Sequence, residues 1–309
     1  MMRMVHRGLR IANWGRYGVL TAVLTTLFAT LLASGGCVSR KRVIPESERL
    51  LPAKTMTRAE AVEKLTERSR AIQTFRAAVT LHFSSGAMKS GGTSFNDYRE
   101  VDGVVLLERP NRIQIQGDVP VVGTSLFEMV SDGSEFRVWI PPKNKFYVGE
   151  SQAPPTSDNP VLNLRPANIT EALLVDIVPY MNDSNIRSSW KEMTQGQRSY
   201  YVLEFFNAAS NEAQIIEEIW IDRSTLEVAR KLVFAADGKV NADIDFSEYD
   251  DAGPIRYPRV ITIHRPVEDY TLTMMFKNPT LNAALSPDAF QLNRPPGAEL
   301  VQLGRGSGF

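Results

Sequence analysis

Apolar and polar side chains alternate along this 309-residue chain mostly with period two, the spacing of half-buried strands. Between Tyr98 and Glu150, apolar runs of strand length are broken by Arg109-Pro110-Asn111, Asp132-Gly133 and Pro141 to Asn144. Val101, Gly103, Val105 and Leu107 share one face. Ile113 and Ile115 alternate with Gln114 and Gln116, and Phe136, Val138 and Ile140 with Arg137 and Trp139. Connections this short join antiparallel neighbours, so the block reads as a meander. Inside it, Asp118 to Ser125 (DVPVVGTS) is an apolar loop. Its tip, Val121-Val122, either meets a membrane or partner or tucks back onto the core.

Upstream, Thr57-Arg58-Ala59-Glu60 is a capping box, followed by Ala61, Val62, Leu65 and Ile72 near helical spacing. This predicts an amphipathic helix from Arg58 to about Gln73, lying over a sheet. Its charged residues, Arg68 among them, read as the solvent face. Phe75 to Ser84 is the first strand. Ile169 to Val178 predicts a short helix, mostly buried and closed by Pro179. From Ser184 the period returns to two, with strands at 198–206, 214–221, 226–235, 239–249, 257–265 and 270–277. Leu226, Val228, Leu232 and Phe234 read as one face. No repeat or boundary splits 57–297. The economical architecture is mainly β with some α: one strongly curved antiparallel sheet, a half-open barrel, with two helices as a lid on its concave side.

The N-terminus has a different character. Arg3, Arg7, Arg10 and Arg16 form a basic region without acids, and Val19 to Leu32 is apolar. That stretch is shorter than the ~20 residues a spanning helix needs. Ala33-Ser34-Gly35-Gly36-Cys37 follows, with the chain's single cysteine. This resembles the bacterial lipoprotein signal, which implies cleavage after residue 36, acylation of Cys37 and tethering to a membrane. An uncleaved anchor and an ordinary secretory signal are the alternatives. Residues 37–56 read as a polar tether and 298–309 as a flexible tail. Loss of residues 1–36 leaves 31 basic against 35 acidic residues, a net charge of −4.

The formal net charge of zero argues against a nucleic-acid partner. His82 and His264 lie in separate strands without metal-ligand spacing, so no metal and no cofactor is expected. There is no G-x-S-x-G elbow, P-loop or dinucleotide fingerprint. The carboxylates Glu217-Glu218 point to opposite strand faces, and Asp243 and Asp245 share one that reads as solvated. No catalytic residue is assigned, and the chain is not expected to be an enzyme.

The run from Gly103 to Ile115 (GVVLLERPNRIQI), Ser131-Asp132-Gly133 before Phe136, and the closing S-P-D-A-F-x-L with Pro-Pro-Gly resemble the bacterial LolA/LolB-like family of lipoprotein carriers and receptors. The resemblance implies a half-open barrel holding acyl chains of a lipid or lipoprotein in an apolar cavity. The expected lining is Val105, Leu107, Ile113, Ile115, Phe136, Val138, Leu232, Phe234 and Met274. It further implies a periplasm-facing protein held at the outer membrane through Cys37, a periplasmic carrier as partner, and Val121 or Val122 as a contact loop. The alternative is a scaffolding or signal-sensing envelope lipoprotein with a filled interior and a protein partner.

Overall fold

The structure, a computed structural model, describes residues 52–85, 96–97, 100–119, 123–151, 163–209 and 212–303. Residues 1–51, on which the lipoprotein-signal reading and Cys37 fall, lie outside this set, as do Val121 and Val122.

Helix α1 (Arg58–Ala71) begins where the capping box places it. The Glu60 carboxylate accepts from the Thr57 N–H at 2.7 Å, and Thr57 Oγ1 accepts from the Glu60 N–H. Two of the four orphan donors of the first turn are thereby satisfied. Ala61, Leu65 and Arg68 follow at i, i+4 and i+7, and all three are buried. Arg68 is a correction to the amphipathic reading. Its guanidinium lies over the rings of Tyr249 and Tyr257, 5.4 and 5.5 Å from their centroids, and donates to the Tyr249 hydroxyl at 3.3 Å. Two aromatic faces accommodate the planar cation, which sequence spacing alone does not reveal.

The strands are β1 (Thr74–Ser85), β2 (Asn96–Asp97), β3 (Val101–Glu108), β4 (Arg112–Asp118), β5 (Ser125–Ser131), β6 (Glu135–Ile140), β7 (Lys145–Glu150), β8 (Ile186–Gln195), β9 (Arg198–Asn207), β10 (Gln214–Asp222), β11 (Val228–Phe234), β12 (Val240–Ala252), β13 (Ile255–Arg265), β14 (Tyr270–Leu281) and β15 (Glu299–Leu303). They form one curved sheet in the order β15-β7-β6-β5-β4-β3-β1-β14-β13-β12-β11-β10-β9-β8, with β2 on β1. The sheet is not closed into a barrel. Strand β1 holds the middle. Two meanders fan out from it, β3–β7 on one side and β8–β14 on the other, so the chain between β7 and β8 must cross from one wing to the other. That crossing carries helices α2 (Pro166–Leu174) and α3 (Val178–Asn182). The lid is thus a consequence of strand order.

Local chemistry sets the turns. In the β5–β6 turn, Asp132 Oδ1 accepts from the N–H groups of Ser134 and Glu135, both at 2.9 Å. Gly133 has φ +97°, and a Cβ there would stand 2.2 Å from the Asn111 side chain. Only glycine fits. The predicted second helix differs in detail. Leu174 ends α2, with Val175 at φ 47°, and Pro179 sits in the first turn of α3 rather than closing a helix. Proline lacks only an N–H that a first turn leaves unbonded anyway.

The main core fills the concave side with Ala61 and Leu65 of α1, Ile169, Ala172 and Leu173 of α2, and the inward residues of the sheet. A smaller cluster on the opposite face joins Val130, Phe146, Phe290, Leu292 and Ala298. Here the S-P-D-A-F segment forms a 3-10 turn that presses Phe290 under the Arg112 guanidinium, 4.4 Å from ring centroid to carbon. The C-terminal tail reading is corrected. Glu299–Leu303 pairs with β7 as the sheet's one parallel strand, because the free edge of β7 offers unpaired backbone groups. The end of the tether also lies on the domain. The Lys54 N–H donates to the Arg223 carbonyl at 2.7 Å, and Met56 packs on the core.

Candidate functional site

The concave side is filled unequally. Toward β1, β13 and β14, the rings of Phe75, Tyr257 and Phe276 pack against one another, with Phe75 centroids 5.0 and 5.2 Å from the other two. Val105, Leu107, Ile113 and Met274 are fully buried in the main core. Toward β4–β7 there is a cavity of about 410 Å³. Ile115, Phe136 and Val138 line it, together with Leu81, Met129, Tyr147, Ile169 and Leu272. Period-two alternation had pointed to the first three. Met129 of β5, the cross-strand partner of Ile115, and Tyr147 of β7 were not foreseen.

Leu232 and Phe234 are placed elsewhere. Trp220 and Ile221 pair with Arg230 and Val228, leaving Ala229 as an extra residue, a β-bulge. One inserted residue exchanges the faces. Val228 and Val233 belong with the concave core, whereas Leu232 stands opposite Glu218 and Asp243 on the outer face. Phe234 follows a second register shift and is half-buried outside that core. On the same outer face Arg230 holds Asp243 through two 2.6 Å hydrogen bonds, and Trp220 Nε1 donates to Glu218 at 2.8 Å. These carboxylates are taken up by neighbours.

Two polar clamps hold the lid helices. The first is Arg109 of the R-P motif. Its Nε donates to the Ile72 carbonyl at 2.8 Å, Nη1 to Asp176 Oδ2 at 2.8 Å, and Nη2 to Ser69 Oγ at 2.7 Å. Ser69 Oγ in turn donates to Asp176 Oδ1 at 2.7 Å. The end of α1 and the loop between α2 and α3 are thus tied to the start of the β3–β4 turn. Burial works against ionisation of Asp176, but hydrogen bonds from Arg109, Ser69 and the Val178 N–H outweigh it and hold the carboxyl below its ordinary value. A depressed folded pKa contributes stability above the unfolded value, about 3.9, that is lost as pH falls through the folded one. Asp176→Asn should therefore lower the urea midpoint at pH 7, and the gap from wild type should close between pH 4 and pH 2. An equal gap at both pH values would refute this role.

The second clamp is centred on a fully buried ion pair. Lys231 of β11 meets Glu217 of β10 at 3.0 Å and Glu171 of α2 at 3.1 Å, while the Tyr180 hydroxyl of α3 donates to Glu217 at 3.0 Å. The sequence offered no sign of this cluster, since its members come from four elements.

Among the described residues no helix is long and apolar enough to cross a membrane, and no cluster of three His, Cys, Asp or Glu could hold a metal.

No protein-family profile and no curated protein matches the sequence. Among solved structures, a DUF1329 family protein from Desulfovibrio piger superposes with a TM-score of 0.50 at 14% identity, over 75% of this chain and 94% of that one. That overlap and the strand order above establish the fold. The chain has the fold of that protein. A LolA superfamily protein from Nitrosomonas europaea (TM-score 0.45, 11% identity, 74% of this chain and 97% of that one) is similar at a lower level. So is an outer membrane lipoprotein-sorting protein domain from Vibrio parahaemolyticus (0.45, 12%, 75% and 94%). At such identities the likeness concerns architecture alone.

Proposed function

We propose that this protein binds the hydrocarbon chain of a lipid or lipoprotein in the concave cavity, as a non-enzymatic carrier or receptor of the bacterial envelope. The observation that carries the proposal is the 410 Å³ cavity, whose lining side chains are apolar except for Lys143 and the hydroxyl of Tyr147. It falls in the range of about 300–1,000 Å³ typical of small-molecule sites. Each methylene moved from water into such a space contributes roughly 0.8 kcal/mol, so affinity needs no covalent chemistry. A scaffold that bound its partner through a solid sheet would have no use for this space. In this reading acyl groups on Cys37 tether the domain to the outer membrane facing the periplasm, Val121-Val122 touches the membrane or a donor carrier, and residues 37–51 give reach.

The test is uptake of a fluorescent fatty-acid probe by the purified mature chain carrying Cys37→Ser, which cannot be acylated. Saturable enhancement with about one probe per protein is expected. Absence of uptake by folded protein would overturn the proposal.

A further inference from the structure

The cavity is graded along its length. Phe136, Val138 and Ile140 alternate along β6, so the lining follows the strand for about 13 Å at ~3.3 Å per residue. Ile115, Phe136 and Ile169 are buried, Val138 and Ile140 half-buried, and the lining ends at exposed Lys143 in the β6–β7 turn. Lys143 carries the only charge among the lining side chains, and among the described residues it makes no hydrogen bond or ion pair. The neighbouring Lys145 is turned to Glu299, 3.5 Å away. Lys143 is thus a cation at the solvent end of an apolar slot. The slot is also small. At the ~30 Å³ that a water-sized group occupies in a liquid, 410 Å³ holds roughly a dozen methylenes. That is about the content of one acyl chain.

Resting on the hydrocarbon reading above, we infer that the ligand is a single-chain anionic amphiphile, its tail in the cavity and its carboxylate or phosphate paired with Lys143. A long ammonium side chain can reach over the opening while its own methylenes cover apolar surface. A charge-assisted hydrogen bond at this partly screened position should contribute about tenfold in affinity.

The test is displacement of the neutral probe N-phenyl-1-naphthylamine from the mature Cys37→Ser chain and from the same chain with Lys143→Met. Dodecanoate should displace the probe from the former at about tenfold lower concentration than dodecanol, and Lys143→Met should remove that preference, so that acid and alcohol displace the probe alike. Dodecanoyl lysophosphatidylglycerol separates the two headgroup sources: if it outcompetes dodecanoate with the same Lys143 dependence, phosphate is the preferred anion and the inference stands. Equal displacement by acid and alcohol before the substitution would overturn the headgroup assignment while the hydrocarbon reading survives. A triacylated lipopeptide competing as well as dodecanoate would overturn the single-chain assignment. Failure of every amphiphile and of the probe to bind would remove the hydrocarbon reading itself.

Discussion

Lys231→Met is expected to destabilise the protein by about 3–5 kcal/mol, the cost of stripping one partner from a buried ion pair. Lys231 is 2% exposed at its side chain and Glu217 0%, so neither charge can turn to water. Burial opposes the ammonium, but Glu217 and Glu171 outweigh it and push the Lys231 pKa above its ordinary value. Burial pushes the Glu217 carboxyl up even with Lys231 beside it. Without the lysine it is left with only the Tyr180 hydroxyl. A carboxyl whose folded pKa is raised loses stability as pH climbs above its unfolded value, about 4.3. The deficit of Lys231→Met should accordingly be larger at pH 8 than at pH 5. The double variant Lys231→Met/Glu217→Leu should recover most of the loss, since apolar pairs of similar size replace buried ion pairs at little cost. Urea midpoints of the wild type, both singles and the double at the two pH values test this. A loss below about 1 kcal/mol for the single variant would show that the pair matters little. Because the cluster ties α2 and α3 to β10 and β11, amide exchange in 166–182 should quicken in the single variant.

Val138→Trp is expected to weaken probe uptake by more than about tenfold while leaving cooperative unfolding intact. Val138 lines the cavity midway along β6, and its cross-strand partners are Met129 and Tyr147. An indole there grows into empty space rather than into packed atoms, so the overpacking that usually follows enlargement of a core residue is avoided. Excluding about three methylenes of a ligand forfeits about 2.4 kcal/mol, more than tenfold in affinity. Val104→Trp is the control: Val104 lies on β3, exposed and away from the lining, and the substitution should leave uptake unchanged. Undiminished uptake by Val138→Trp would place the hydrocarbon site elsewhere.

What residue order determined by itself is local. Thr57 and Glu60 start a helix because their partners are three residues away. Asp132-Gly133 turns the chain because one carboxylate reaches the amides two and three residues on and one glycine tolerates positive φ. Period-two alternation identified Ile115, Phe136 and Val138 as inward, and they share the cavity. What only the tertiary structure decided depends on parity and on distance along the chain. The extra residue at Ala229 moved Leu232 to the outer face, although its neighbours' hydrophobicity is unchanged. The parallel pairing of Glu299–Leu303 needed an edge strand some 150 residues earlier in the chain. Arg68 read as a surface charge until aromatic faces from other elements came to meet it, and Lys231 is buried only because carboxylates from other elements meet it. A hollow has no signature in residue order at all: the side chains that fill one half of the concavity and those that surround the void in the other are equally apolar, and only their packed positions distinguish a core from a site.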